Sequence, residues 1–483
     1  MNIVFDIIEG IINIIIEFFK IIFELFGMAF KKKGSYNAEF VSQGTLLSSS
    51  YKGFCLTGNK NLSVKNSYQN ALVIGGTGTG KSSVVLTPSL FTMRSSFVVH
   101  DPSGELLSMC GGYLHSKGYD VKVLNFANPA NSCNYNPLAR AEGSDIQKIA
   151  SMLISNALGG NSKDPFWNNS SSSLLTALIG ILKTQEEKYQ NLYNVRHLLN
   201  NMGSNSDGGV DNLFSTHADK VLFSEYKAFL SYDDKVLSGI IATCRAALLS
   251  FADNSIAQIT ASDNLNLMDF RNKRVALFIQ NKISDQKYYS TLSSIFFEQF
   301  FSFIMSRFPD KNENDIFFLV DEASSLNLPT LPTAVANVRK HRSGIMLMLQ
   351  DFNQLVHNYG KFDAESIKTN CFSKLFFTGQ NLDSALELEK ILGRAEYEND
   401  KGNKVVRSLM TNDEIRTMKS NRALLICGHH PPIKAKLKPY YKRTTFRNYS
   451  NYPIPPFNNT EVPDSIPILP LKTHSAKNNE NYK

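Results

Sequence analysis

Cysteine is scarce in this chain: six in 483 residues, at positions 55, 110, 133, 244, 371 and 427, with no C-x-x-C pair among them. That scatter argues against a thiolate zinc site and against a disulfide scaffold, and the body of the chain reads as cytosolic. Glycine and proline, 28 and 17 residues, are too few for a collagen-like or low-complexity chain. No internal repeat is evident. No apolar run near the amino terminus approaches the roughly 20 residues of an ordinary membrane span; the longest charge-free run of residues 1–33 that carries its helical pattern is 10–16. What is present is the balance of a folded protein, 42% hydrophobic and 19% charged, at a length that suggests two to four domains at roughly 100–200 residues each. The net charge of +8 suits a polyanion or an anionic membrane surface.

Residues 1–33 stand apart. Asn2, Asp6, Glu9, Asn13, Glu17, Lys20 and Glu24 recur at intervals of three and four, with mostly Ile, Phe, Val and Leu between them. This spacing predicts a helix with a broad apolar surface and a thin polar stripe. Lys31, Lys32 and Lys33 follow, where a basic cluster would meet a cytoplasmic membrane face. Internal acids argue against a cleaved signal peptide. The helix fits three settings: in the membrane interface, across the bilayer with its stripe turned into an oligomer or onto a partner helix, or docked in an apolar groove. Membrane attachment is the expectation.

From residue 34 to 144, short apolar runs (71–76, 96–101, 121–126) alternate with helical stretches, including 83–93 interrupted at Pro88 and 104–117. Continuous apolar strands between helices predict a parallel sheet covered on both faces. Residues 145–262 carry helical patterns and little strand signal, which predicts an inserted all-α domain. The α/β rhythm returns over 263–445 with strands near 275–280, 316–321, 345–350, 375–378 and 423–427. Residues 446–483 hold six prolines between 453 and 470 and read as a flexible or extended tail.

Gly75-Gly76-Thr77-Gly78-Thr79-Gly80-Lys81-Ser82 matches G-x-x-x-x-G-K-[ST], follows a strand and opens a helix that begins with Ser83. In that setting glycines let backbone N–H groups wrap phosphates, lysine neutralises the β- and γ-phosphates, and the serine hydroxyl holds Mg²⁺. The strand 316–320 ends in Asp321 and Glu322, a metal-binding acid followed by an acid to polarise the attacking water. The expected ligands are thus ATP and Mg²⁺, and the expected chemistry is hydrolysis. Gln350, ending another apolar strand, is suited to sensing the γ-phosphate, although a strand-end glutamine can also just close a turn. Arg339, in the run Arg339-Lys340-His341-Arg342, is the candidate for a transition-state arginine supplied by a neighbouring subunit; the alternative is a solvated basic run.

Together these elements resemble the type IV secretion coupling proteins, the conjugative-transfer ATPases of the TraG/TraD kind, over about residues 42–445. The resemblance also rests on His100-Asp101-Pro102-Ser103-Gly104-Glu105-Leu106, Asn136-Pro137-Leu138, Asp164-Pro165-Phe166-Trp167, and Gln350 with Gln354-Leu355 and Tyr359-Gly360. It implies a RecA-like P-loop nucleotide-binding domain with an inserted all-α domain. It further implies a homo-hexameric ring at the cytoplasmic face of the cell membrane, driving relaxase-bound single-stranded DNA toward the type IV secretion channel proteins. Two departures stand out. Ser103 replaces a common lysine, and one atypical amino-terminal helix stands where relatives have two transmembrane helices, which suggests a separate membrane partner. Two other functions fit the same chain: export of effector proteins without DNA, and a nucleotide-dependent docking adaptor.

Lys434, Lys436, Lys438, Lys442, Arg443 and Arg447, interleaved with Tyr440 and Tyr441 and free of acids, form a basic-aromatic segment suited to single-strand backbones. The alternation of Lys434, Lys436 and Lys438 equally fits the solvated face of a strand.

Overall fold

The structure, a computed structural model, describes residues 36–158, 165–202, 208–281, 285–398, 402–457, 461–463 and 465–472. The expected amino-terminal helix lies outside them. No helix among the described residues is long and apolar enough to cross a membrane.

The apolar runs form strands in chain order: β1 (Ala71–Ile74), β2 (Ser96–His100), β3 (Asp120–Asn125), β4 (Val275–Gln280), β5 (Ile316–Val320), β6 (Ser343–Leu349) and β7 (Ser373–Phe377). After β8 (Arg394–Glu398) and β9 (Lys404–Ser408) come β10 (Arg422–Cys427) and β11 (Ile433–Lys436). Nine of them make one sheet, ordered β11-β10-β7-β1-β6-β5-β2-β4-β3. The seven strands from β7 to β3 are parallel, and β10 runs antiparallel to β7. Every residue of β1, β2, β5 and β6 is buried, as strands with both faces covered require.

Parallel strands all finish on one edge, so β1, β6, β5 and β2 bring residues 75, 350, 321 and 101 to the same side of the sheet. Between β3 and β4 the described residues hold helices and no strand. They include Ser144–Leu158, Pro165–Lys183, Leu192–Asn200, Gly209–His217, Lys220–Leu230 and Asp234–Ala247. Sheet and helices belong to one compact unit, residues 42–380 with 418 onward.

Residues 381–417 group instead with the segment ending at Val41 as a second compact unit, a division absent from the sequence reading of 263–445 as one stretch. Its hairpin β8–β9 reads RAEYE and KVVRS and is largely exposed, so it had no apolar run to announce it. Inside this unit the helix Leu382–Leu392 is capped by Asn381, and Thr411 with Glu414 forms a capping box on Asn412–Arg416. Glu389 accepts from Ser408 and from Asn412.

Of the two forms expected for the tail, residues 465–472 take the extended one, and they are docked: Leu469 is buried, and its N–H donates to Asn194 Oδ1 at 2.9 Å. Prolines remove N–H donors and the periodic pattern of a helix or strand, so nothing in the residue pattern marks a docked segment.

Candidate nucleotide site

β1 stops because the glycines after it free the chain to turn. Gly75 N–H still donates to Leu349 O of β6 at 3.1 Å. A Cβ on Gly75 would stand 2.7 Å from the Phe377 Cβ, closer than real side chains pack. Gly78 and Gly80 take φ values of +75° and +90°, open to glycine at no steric cost. Thr79 and Ser83 hydroxyls donate to Gly76 O and Gly80 O, holding the loop against its own backbone.

The helix then begins with a wide turn over Ser82–Leu86, where Thr87 N–H reaches back to Ser82 O, and continues as Thr87–Thr92. Pro88 does not interrupt it, contrary to the sequence expectation. It directly follows the wide turn, where the winding changes from wide to α, and its missing N–H takes one reach-back bond out of that junction.

Lys81 Nζ donates to the carbonyls of Gly75 and Gly76, the latter at 3.2 Å, inside the loop it belongs to. Burial pulls its pKa below the usual lysine value, while Asp321 and Glu322 oppose that shift. Ser82 Oγ donates to Asp321 Oδ2 at 3.2 Å across 239 residues of chain. Burial and the neighbouring Glu322 hold the Asp321 carboxyl above its ordinary pKa, against Ser82 and Lys81. A cation between these oxygens would offset that cost, and one hydroxyl with one carboxylate is a donor set that fits Mg²⁺. Among the described residues no group of three or more His, Cys, Asp and Glu could hold a metal unaided.

Glu322 turns the chain off β5 in a left-handed conformation, φ 51° and ψ 55°, rare for a residue with a Cβ and often found at functional sites. Gln350 follows β6 directly and is exposed; its N–H donates to Gln354 Oε1 at 2.9 Å. The register Ile74↔Leu349 puts it beside the start of the phosphate loop. The loop residues 75–83, Asp321, Glu322 and Gln350 therefore share one edge of the sheet.

Arg339 does not. It lies in the turn Val338–His341 before β6 begins, exposed, with its guanidinium 3.4 Å from Gln69 Oε1. That is the opposite edge, so within one chain it cannot reach the phosphate loop. The other arginine of the run, Arg342, is committed to Asp315, Asp310 O and Glu313 O.

Several contributors went unrecognised in the sequence. His100, ending β2, is fully buried, and its Nδ1 lies 2.7 Å from Asp321 O. A carbonyl only accepts, so Nδ1 carries the hydrogen, and Nε2 has no hydrogen-bond partner. Burial lowers the imidazole pKa to about 4, leaving it neutral near pH 7 as a prop for the acidic turn. Asp101 accepts from Leu106 N and Leu107 N at the start of the helix Glu105–Ser116. Burial raises its pKa to about 6. Gln380 Nε2 donates to Phe377 O at 2.8 Å and Ile74 O at 3.3 Å, tying the end of β1 to β7. The only hint of Gln380 was a polar residue two places past the strand run Phe376-Phe377-Thr378. Other motif residues hold the fold: Tyr359 Oη accepts from Leu328 N, Asn136 braces a turn, and Trp167 packs where a Cβ on Gly239 would collide. Ser103 Oγ accepts from Glu105 N at the start of the same helix as Asp101.

Of the basic-aromatic segment, Lys434 and Lys436 point to solvent from β11 while Ile433 and Ala435 are buried, the pattern of a strand face. Arg443 packs on Phe446 and donates to Gly58 O, and Tyr440 reaches Met109. Lys438, Tyr441, Lys442 and Arg447 are exposed.

A family model described as Type IV secretory system Conjugative DNA transfer matches residues 28–464. The protein VirD4 of Agrobacterium fabrum is 20% identical over 421 residues, covering 78% of this chain and 59% of its own length. The conjugal transfer protein TraG of Rhizobium radiobacter is 22% identical over 401 residues, covering 77% and 62%. The chain thus spans about three fifths of these curated relatives. Among solved structures, the plasmid coupling protein TrwB in complex with ADP and Mg²⁺ aligns with a TM-score of 0.66 at 19% identity, covering 84% of this chain and 96% of that one. Its complex with a non-hydrolysable ATP analogue aligns at 0.64 and 20%, covering 82% and 92%. The fold is therefore RecA-like, a P-loop α/β domain with a helical domain. With the family model spanning nearly the whole length, the chain belongs to the type IV secretory system conjugative DNA transfer family.

Proposed function

We propose that this chain is an ATP-hydrolysing coupling protein that drives relaxase-bound single-stranded DNA toward a type IV secretion channel. It would work as a homo-hexamer at the cytoplasmic face of the membrane. The observation that carries the enzymatic part is the hydrogen bond from Ser82 to Asp321, with Lys81 beside both acids. Two stretches of chain remote in sequence meet where a triphosphate and its metal would lie.

Each residue then has a physical task. The N–H groups of 76–82 and the helix behind them favour an anion. Lys81, now spent on Gly75 and Gly76 carbonyls, would turn to the β- and γ-phosphates. Ser82 and Asp321 would hold Mg²⁺, which when bound neutralises charge on the phosphate oxygens. Glu322 would orient and polarise the attacking water, and Gln350 would report the γ-phosphate to β6 and the helix after it. Arg339, on the far edge, would act only on the site of a neighbouring subunit. The family of type IV secretory system conjugative DNA transfer, the plasmid coupling protein TrwB and the conjugal transfer protein TraG support the reading of coupling, DNA transfer and secretion.

The test is ATP turnover with and without single-stranded DNA, in the wild type and in Glu322→Gln. The expected result is DNA-stimulated hydrolysis that falls by roughly 10²–10⁴-fold in the variant, with ATP still bound. Turnover unchanged by Glu322→Gln would favour the docking adaptor. Turnover indifferent to DNA would favour export of protein alone.

A further inference from the structure

The proline-bearing segment of residues 461–463 and 465–472 is held against the helical region largely through its backbone. Four side-chain amides donate to its main chain: Asn134 Nδ2 to Glu461 O, Gln258 Nε2 to Pro463 O, Asn194 Nδ2 to Pro467 O at 2.9 Å, and Asn212 Nδ2 to Lys472 O at 2.9 Å; one side chain of the segment is held as well, Glu461 Oε2 by Asn264 Nδ2 at 2.7 Å. Proline has no N–H, so a proline-bearing strand can be gripped mainly through its carbonyls.

Asn194 grips twice, because its Oδ1 also accepts from Leu469 N at 2.9 Å. This amide is fully buried, and its orientation is set by Asn191, the cap of the helix Leu192–Asn200. Burial also lowers the pKa of His197 on the same helix, which bonds the Leu469 backbone. One side chain of the segment is fully sunk, Leu469 at 4% exposure, whereas Ile468 beside it is 51% exposed. Main-chain recognition plus a single aliphatic anchor is how extended peptides are read with little regard to the rest of their sequence.

We propose that this groove along Leu192–Asn200 is a binding site for an extended, proline-bearing peptide of another protein, with one aliphatic anchor in the Leu469 position. The chain's own residues 461–463 and 465–472 fill it in cis and hold it shut until such a peptide displaces them. This site is separate from the nucleotide edge and does not depend on the ATPase reading.

The probe is a fluorescent synthetic peptide of residues 461–472, titrated onto the full-length chain. Leu469→Asp frees the groove, so this variant should bind the probe, while the wild type binds about 100-fold more weakly because its tethered tail competes at millimolar effective concentration. Adding Asn194→Ala to Leu469→Asp should remove the binding. Excess probe should expose the wild-type tail to protease. Unrelated peptides that keep the x-P-x-L-P spacing should compete.

Failure of Leu469→Asp to bind the probe while its tail is protease-sensitive would overturn the proposal. So would a Leu469→Asp tail that remains protected, or competition by the native sequence alone. Self-association of the wild type that disappears in Leu469→Asp would assign the groove to a second copy's tail and overturn it as well.

Discussion

The two edges of the large sheet treat charge in opposite ways. On the edge where β6 begins, the guanidinia of Arg342, Arg271 and Arg307 have carboxylate or carbonyl partners, while that of Arg339 is exposed. Arg342 spans Asp315, Asp310 O and Glu313 O; Arg271 donates to Asn314 O and His341 O; Arg307 pairs with Glu313. On the edge where β6 ends, Lys81 is bonded to its own loop. Asp101 is buried and Asp321 half-buried, both with raised pKa values, and His100 keeps an unpartnered nitrogen. One edge is satisfied and the other is held in waiting. A fold can tolerate the second kind of edge when a ligand will supply the missing partners, because an unpaired buried charge is costly.

The sharpest way to break that contrast is Lys81→Ala, which removes a cation acted on by both acids. ATP turnover should fall below detection, against a wild-type assay at saturating ATP. Arg339→Ala comes next. In the assembled oligomer it should cost on the order of 10³-fold in turnover, the scale of an arginine supplied in trans, with ATP affinity of the monomer unchanged. Equal turnover in both proteins would remove Arg339 from the site.

The pH dependence of stability sharpens the comparison further. His100 has a folded pKa of about 4 against an ordinary 6.5. Between those values only the unfolded chain takes up the proton, so its contribution falls as pH drops from 6.5 to 4. Asp101 has a folded pKa of about 6 against 3.8. There the folded chain holds the extra proton, so its contribution rises as pH drops from 6 to 4. The two neighbours largely cancel. Asp101→Asn should uncover the histidine: between pH 6 and 4 the variant should lose about 3 kcal/mol relative to wild type in urea melts.

The smallest effect belongs to the satisfied edge. Arg342→Ala should lower stability by about 2 kcal/mol through the lost carbonyl and carboxylate bonds, while leaving ATP affinity intact. A change in affinity instead would mean that the two edges are coupled.

Much of the nucleotide edge was legible in the sequence, since its parts are local. Glycines at 75, 76, 78 and 80 declare a turn, and an apolar run stopping at Asp321-Glu322 declares a strand end. The roles of His100 and Gln380 were not legible. Each acts through a backbone carbonyl on another strand, and a carbonyl has no signature in the sequence. The hairpin β8–β9 and the docked tail escaped for a related reason: one is exposed and charged, and the other is rich in proline, so neither shows an apolar period.

Residue order alone determined the shape of the phosphate loop and the identity of the strands, because both follow from backbone freedom and apolar runs within a few neighbours. Only the tertiary structure decided that β6 lies between β1 and β5, and with it that Ser82 meets Asp321 and that Arg339 is left on the far side. Strand order in a parallel sheet is set by crossovers and packing between segments hundreds of residues apart, and no local preference encodes it.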